Sequence, residues 1–130
     1  MAKGSGRSPI FLDYQSTTPI DADVLSTMMP FLTTHFGNPH SADHRYGWEA
    51  QAAIEVAQAE CAALIGAAPQ DIIFTSGATE ANNLAIKGVM EALVKRRSRL
   101  VTVISEHSCV REAARATRRW GADVIEVSID

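Results

Sequence analysis

Hydrophobic positions in the second half of the chain follow two alternating patterns. Short apolar runs predict β-strands at residues 72–75, 100–105 and 124–128. Between these runs, apolar residues recur every three or four positions, which predicts helices at 79–96 and 108–120. Strands that alternate with helices in this order are typical of an α/β fold, in which parallel strands are covered by helices.

The first half of the chain shows mainly helical patterns. Acidic residues around Asp21 predict a helix start, because a carboxylate is favourable near the positive end of the helix dipole. We expect Pro30 to end or kink this helix. A longer helix is predicted from about Arg45, and Gly66 is a suitable C-cap residue. Residues 31–41 contain glycine, proline and small polar side chains, and form a predicted loop between the two helices.

The composition is that of an ordinary globular domain, with 46% hydrophobic and 21% charged residues. A formal net charge of −3 argues against nucleic acid or an anionic membrane as the partner. No apolar run reaches the ~20 residues of a membrane-spanning helix, and residues 1–8 lack the apolar segment of a signal peptide. Cys61 and Cys109 do not form a disulfide framework, so we expect a reducing, cytoplasmic location.

The turn after the first predicted strand has the features of an anion site. Residues 76–79 join a strand to a helix, and the first backbone N–H groups of a helix lack partners within it. These groups and the helix dipole attract a phosphate. Gly77 allows a sharp turn, and Ser76 and Thr79 add hydroxyl donors. The alternative interpretation is an ordinary strand–helix turn with a polar cap.

A second candidate residue follows the next predicted strand. Because parallel strands end at the same edge of a sheet, His107 can converge with residues 76–79. The alternative is a loop histidine that bonds to the backbone. Cys109, at a helix start beside this histidine, has the position of a reactive thiol, although a small apolar core residue is the simpler interpretation. The apolar stripe that contains Cys61 indicates a core position for it as well.

Other polar clusters have simpler explanations. His35, His40 and His44 lie close in sequence, but no cysteine or carboxylate stands at ligand spacing, so we predict no metal site. Asn82 and Asn83, near the turn, either orient neighbouring loops or are exposed helix polarity.

Four sequence motifs together resemble one family. They are TSGATEANNLAIKG at 75–88, LDYQSTTP at 12–19, FGNPHS at 36–41 and SEH at 105–107. Their order and spacing resemble those of the cysteine desulfurases, which are pyridoxal 5'-phosphate (PLP) enzymes of the class V aminotransferase group. The similarity runs from about Ile10 to about Asp130.

The resemblance implies a fold and a cofactor site. The implied fold is a three-layer α/β portion with a parallel sheet, as in fold-type I PLP transferases, incomplete in this chain. Ala78 and Thr79 match the family positions that hold the cofactor phosphate. His107 matches the catalytic histidine that stacks on the cofactor ring and helps proton transfer.

The resemblance also implies a division of the chain. We expect a tail and an extended segment at 1–20, N-terminal helices at 21–66, and the beginning of the large PLP-binding α/β domain at 67–130.

The implied reaction converts L-cysteine to L-alanine and passes the sulfur, as a persulfide, to iron–sulfur cluster assembly or to thiolation. The family is usually homodimeric and delivers sulfur to an acceptor or scaffold protein. A selenocysteine lyase of the same class is an alternative. A non-catalytic phosphate-binding or interaction module is another.

Several parts of the family's active site have no match in this sequence. The resemblance places the Schiff-base lysine, the aspartate at the pyridine nitrogen and the persulfide cysteine beyond residue 130, whereas Lys87 lies inside a predicted helix. We therefore expect a fragment that is inactive without the C-terminal portion of the enzyme. We also expect an unpaired strand at 72–75 and exposed apolar surface around it.

Overall fold

A computed structural model describes residues 9–129 of the chain. Two compact units are present, Met1–Ile72 and Ile73–Asp130, and each is described by itself. No helix among the described residues is long and apolar enough to cross a membrane. The functional domain boundaries expected at residues 20 and 66 stay predictions.

The first unit begins with helix α1, Ala22–Thr33. The side chain of Asp21 caps it, because its Oδ1 accepts from the backbone N–H of Asp23 at 2.9 Å. Of the two effects expected of Pro30, an end of the helix or a kink in it, the first is wrong: the helix continues for three residues beyond Pro30. A proline inside a helix removes only one backbone donor, and the rest of the turn can still form. The backbone N–H of Thr34 accordingly donates to the carbonyl of Pro30 at 2.8 Å.

Helix α2, Arg45–Ile65, has the predicted start and end. Its N-cap is His44, whose Nδ1 accepts from the N–H of Gly47 at 3.3 Å. At the other end Gly66 adopts a left-handed conformation with φ of 69°, which glycine tolerates without steric cost. A short 3₁₀ turn, Pro69–Asp71, follows.

The loop before α2 lies against the first turn of that helix. The indole Nε1 of Trp48 donates to the carbonyl of Ala42 at 2.7 Å. Gly47 is buried, and a Cβ at this position would overlap the backbone carbonyl of Ser41. The loop can approach the helix this closely only because residue 47 has no side chain.

The second unit is a small α/β layer. Its two strands, β1 (Arg99–Val103) and β2 (Asp123–Val127), pair in parallel. Helix α3 (Ala78–Leu93) precedes β1, and helix α4 (Ser108–Ala116) connects the strands. A 3₁₀ turn, Thr117–Trp120, completes the segment that was predicted as one helix.

The prediction of a third strand at 72–75 is wrong for this structure. The backbone of Ile72 is extended, but residues 72–75 form no ladder with another strand among residues 9–129. A strand needs a neighbour that satisfies its backbone donors and acceptors, and none of residues 9–129 pairs with this segment. Ile73 is 66% exposed and Phe74 is 52% exposed, which confirms the expected exposed apolar surface.

The core of the second unit joins both helices to the sheet. Its buried residues are Met90, Ala114, Ala122 and Val124. Ala114 is completely buried, so its small side chain permits close contact between α3 and α4. Thr117 is the buried polar residue in this region, and its hydroxyl donates to the carbonyl of Ala114 at 2.6 Å.

A half-buried ion-pair network ties α4 to β2. The guanidinium of Arg115 donates to both carboxylate oxygens of Glu126, at 2.7 and 2.8 Å. Arg111 donates to the same carboxylate at 3.2 Å. Glu126 has only 15% of its side chain exposed, and these hydrogen bonds, that from Arg115 first, lower its pKa from 4.5 to about 2. The network therefore ties Arg111 and Arg115, which lie one turn apart on α4, to β2.

The lowered pKa of Glu126 predicts a pH dependence of stability. The unfolded chain binds a proton at this residue as the pH falls below about 4.5, whereas the folded chain stays unprotonated down to about pH 2. The contribution of Glu126 to the free energy of unfolding should therefore be fully present above this pH window and should be lost as the pH falls through it. Glu126→Gln should flatten that slope in urea unfolding curves recorded across the window.

The matched control for this prediction is Glu112→Gln. Glu112 also bonds to Arg115, but 67% of its side chain is exposed, so its replacement should leave the slope close to that of the wild type. A slope that is equally steep in Glu126→Gln and the wild type would contradict the assignment.

The tight packing at Gly47 predicts a second effect on stability. Gly47→Ala should destabilise the first unit by about 1 to 3 kcal/mol, because the added methyl group forces the loop away from α2. Thermal unfolding and amide hydrogen exchange along α2 measure this loss. Gly88→Ala is the control, since nothing lies within 4 Å of a Cβ there, and it should stabilise α3 by about 0.5 to 1 kcal/mol. Equal stability of Gly47→Ala and the wild type would show that the loop is not packed this closely.

Candidate functional site

One cavity of the second unit collects the residues that the sequence singled out. Its volume is about 400 Å³. It is lined by Ser76, Gly77, Ala78, Thr79, Glu80, Asn82, His107 and Cys109. The structure thus brings the strand–helix turn and His107 to one place, although about 30 residues separate them in sequence.

The turn before α3 depends on Gly77. This residue has φ of 156° and ψ of −177°, a combination that is essentially limited to glycine. Its carbonyl accepts from the hydroxyl of Thr75 at 3.2 Å and from the N–H of Ala81 at 3.1 Å. Nothing lies within 4 Å of the place where a Cβ would be, so the backbone at Gly77 is open to a ligand.

The start of α3 offers backbone donors to this cavity. The N-cap Gly77 supplies no side-chain hydrogen bond, and Ala78 and Thr79 occupy the first two helical positions. The N–H groups at these positions have no acceptor within the helix. Thr79 adds a hydroxyl for which the described residues provide no partner. This part of the turn can therefore bind an anion.

The expected role of Ser76 as a free donor is wrong. Both its backbone N–H and its hydroxyl donate to one carboxylate oxygen of Glu80, each at 2.7 Å. These bonds, the backbone one first, lower the pKa of Glu80 and keep it ionised near the helix start. Glutamate three positions after the N-cap commonly reaches back to a free N–H in this manner. The negative charge of Glu80 repels an anionic ligand, and the Ser76 donors are already bonded to it. An anion would therefore have to bind to the donors of Ala78 and Thr79.

His107 is the N-cap residue of α4. Its Nδ1 accepts from the backbone N–H of Cys109 at 3.2 Å, and the Sγ of Cys109 lies 3.0 Å from the same nitrogen. The residue is exposed and lines the cavity. His107 therefore makes the backbone hydrogen bond of the alternative interpretation and also lies at the candidate site.

The prediction that Cys109 is a buried apolar residue is also wrong. Its side chain is half-buried and lines the cavity. The amide Nδ2 of Asn82 donates to its Sγ at 3.3 Å. The spacing of Cys109 from His107 is a partial signal for the contact between them, because a cysteine two residues after a histidine N-cap lies within reach of its ring. The partner amide on α3 could not be read from spacing, since the contact depends on how the two helices pack.

A second cavity of about 330 Å³ shares Thr79, His107 and Cys109 with the first. Lys87 lines this cavity, about two helical turns after Thr79. The position inside a helix that the sequence predicted for Lys87 is confirmed, and the structure shows in addition that this lysine is near the candidate site.

The remaining candidates lie elsewhere. Cys61 is half-buried on α2. His35 lies 3.7 Å from Glu49, and His44 caps α2. Within residues 9–129, no three histidine, cysteine or acidic side chains are grouped to bind a metal ion. Asn83, next to Asn82, donates to the carbonyl of Thr79 at 2.8 Å.

Comparison with known proteins gives one consistent result. A cysteine desulfurase IscS of Rickettsia bellii is 50% identical over 121 residues, which are 93% of this chain and 30% of that protein. A solved NifS-like protein matches 88% of this chain and 31% of its own, with a TM-score of 0.78 and 37% identity. A structure of SspA in complex with cysteine matches with a TM-score of 0.76 and 38% identity, over 88% of this chain and 33% of its own.

These likenesses confirm the predicted fold class, an incomplete portion of the α/β fold of fold-type I PLP enzymes. The chain spans about 30% of the length of the curated relatives that it matches. The aminotransferase class-V profile matches residues 10–130, nearly the whole sequence. The chain therefore belongs to the aminotransferase class-V family.

Proposed function

We propose that this chain supplies the cofactor-phosphate site and the ring-stacking histidine of a PLP-dependent cysteine desulfurase. The observation that carries the proposal is the single cavity lined by the start of α3 and by His107. The names of the curated relatives support cysteine as the substrate, at 50% identity over nearly all of this chain. The remaining parts of the reaction belong to sequence that the match to this chain does not include.

The donor set of the turn fits a phosphate group. Two backbone N–H groups, those of Ala78 and Thr79, and the Thr79 hydroxyl supply three hydrogen bonds. The positive end of the α3 dipole favours a negative charge at the same point. Gly77 leaves open space for the ligand to approach the backbone. The ionised Glu80 lowers the affinity, but its bonds to Ser76 direct the carboxylate to that residue.

His107 fits the aromatic part of the cofactor. An imidazole can stack on a pyridine ring and can also carry a proton near neutral pH. When bound, PLP withdraws electrons from the amino-acid substrate and weakens the bonds at its α-carbon. In this site Ala78 and Thr79 anchor the phosphate end. His107 covers the ring and moves a proton at its Nε2.

The complete enzyme needs groups that we assign to the rest of the protein. We propose that this part supplies the lysine that attaches the cofactor and the cysteine that takes the sulfur, and that two copies form a cytoplasmic homodimer. An acceptor or scaffold protein then receives the sulfur. A selenocysteine lyase would use the same phosphate site, but the relatives' names favour cysteine.

The phosphate site predicts selective binding. The chain should bind PLP, and inorganic phosphate more weakly, with amide shifts at Ala78 and Thr79 in ¹H–¹⁵N spectra. Thr79→Val should weaken PLP binding about 5- to 10-fold, because a hydrogen bond to a charged group is lost, and Thr79→Ser should retain it.

Two controls accompany this experiment. Thr27→Val removes a hydroxyl of the same kind from α1, where it donates to the carbonyl of Asp23, and should not change binding. Pyridoxal without its phosphate should leave the amide signals of Ala78 and Thr79 in place. If phosphate and PLP bind equally and His107 does not respond, the turn belongs to a general phosphate-binding module and not to a PLP enzyme.

The assignment of the lysine to the rest of the protein predicts the behaviour of the chain alone. With PLP and L-cysteine, the purified 130-residue chain should produce no alanine above the background of free PLP. Denaturing intact-mass spectrometry after borohydride treatment should show no cofactor adduct on the ~14 kDa chain. An adduct on a second polypeptide that co-purifies would identify the missing portion. Turnover by the chain alone, or an adduct on Lys87, would contradict this division of the active site.

A further inference from the structure

We propose that Cys109 and Asn82 are positioning residues that hold the His107 ring with its proton on Nε2. The catalytic meaning of this inference rests on the proposed function, since His107 is the residue placed against the cofactor ring. The contacts themselves belong to this chain and can be measured without any cofactor.

The first step concerns the backbone bond to Nδ1. The N–H of Cys109 lies 3.2 Å from this nitrogen and can only donate. A protonated Nδ1 would place two hydrogens against each other. This contact therefore favours the tautomer in which Nδ1 presents its lone pair and the proton of the neutral imidazole is on Nε2.

The second step concerns the thiol. The sulfur of a cysteine is a weak acceptor, and its S–H is a weak donor. The amide Nδ2 of Asn82 donates to this sulfur at 3.3 Å. Because the backbone bond leaves Nδ1 without a proton, the hydrogen available for its 3.0 Å contact with Sγ is the S–H of Cys109. The thiol and the backbone N–H of Cys109 then share the lone pair of Nδ1. The hydrogen bonds then run in one direction, from amide to sulfur to imidazole.

The third step concerns burial. Asn82 and Cys109 are half-buried between α3 and α4, whereas the ring of His107 is exposed at the cavity. The ring is thus fixed on its shielded side by groups from two elements of the core. Among residues 9–129, Nε2 has no hydrogen-bond partner, so the nitrogen left for a ligand is the one that carries the proton. A ring held in this manner keeps one plane for stacking and offers one defined donor.

The tautomer of His107 is measurable by long-range ¹H–¹⁵N correlation spectra of the ¹⁵N-labelled chain in mildly alkaline buffer. The signals of His107 are assigned by their absence in His107→Gln. The wild type should show a protonated Nε2 and an unprotonated Nδ1. The opposite pattern would overturn the inference directly.

The variants test the hydrogen bonds from Asn82 to Cys109 and from Cys109 to His107 separately. Cys109→Ala keeps the backbone donor but removes the thiol, and should shift the tautomer ratio about 2- to 10-fold toward the form protonated at Nδ1. Cys109→Ser should restore the wild-type ratio, because a hydroxyl can donate to the same nitrogen. Asn82→Asp should act like Cys109→Ala, because a carboxylate accepts the S–H and withdraws it from Nδ1.

The controls are replacements of the same kinds at other sites. Cys61→Ser changes the cysteine on α2, and Asn83→Asp changes the neighbouring amide, which bonds to the carbonyl of Thr79. Both should leave the His107 signals unchanged. Circular dichroism establishes that each variant is folded. A Cys109→Ala variant that is folded and keeps the wild-type tautomer ratio would overturn the positioning role.

A PLP titration of the same variants separates this inference from the proposed function. If the tautomer shifts as predicted but no form binds PLP, the positioning contacts stand and the proposed function fails. If the wild type and Cys109→Ala bind PLP equally and share one tautomer ratio, the proposed function stands and the positioning role is wrong. The expected result is a shifted ratio with about 3- to 10-fold weaker binding in Cys109→Ala and recovery of both in Cys109→Ser.

Discussion

The candidate site depends on one constraint of helix geometry: the first backbone N–H groups of a helix have no acceptors within it. At α3 the N-cap is Gly77, which has no side chain to satisfy them, and the helix begins with Ala78 and Thr79. Glu80 accepts hydrogen bonds from Ser76, the residue before the N-cap, and not from the N–H groups of Ala78 and Thr79. A glycine at this N-cap therefore leaves the first donors of the helix without a side-chain acceptor, and these are the donors that we propose for an anion.

The second half of the site is held by packing and charge. His107 precedes α4, and α4 is fixed to β2 by the bonds between Arg115 and Glu126 and to α3 through the buried Ala114. These contacts fix the short helix through its last turn, and His107 is the N-cap of that helix, so an exposed histidine keeps a defined position at the cavity. The two strands of the sheet support this arrangement although much apolar surface of the unit stays exposed.

Sequence patterns predicted the features that depend on local structure. Helix α2 has the predicted start at Arg45 and the predicted stop at Gly66, because capping and periodicity are local properties. These patterns failed at residues 72–75, because a strand also needs a pairing neighbour, which periodicity does not show and which residues 9–129 do not supply. They also missed the contact from Asn82 to Cys109, since the two lie on helices whose packing sets the distance. The roles of Ala78, Thr79 and His107 stay predictions that rest on family resemblance and on their shared cavity.

The most direct test of the central claim is a nuclear Overhauser measurement on the ¹⁵N,¹³C-labelled chain mixed with PLP. If the start of α3 and His107 bind one ligand, cross-peaks should join the His107 ring to protons of the pyridine ring, while the amide signals of Ala78 and Thr79 move with the phosphate. Cofactor-dependent shifts at the turn without any contact to His107 would show that the two parts do not form one site, and would contradict the account.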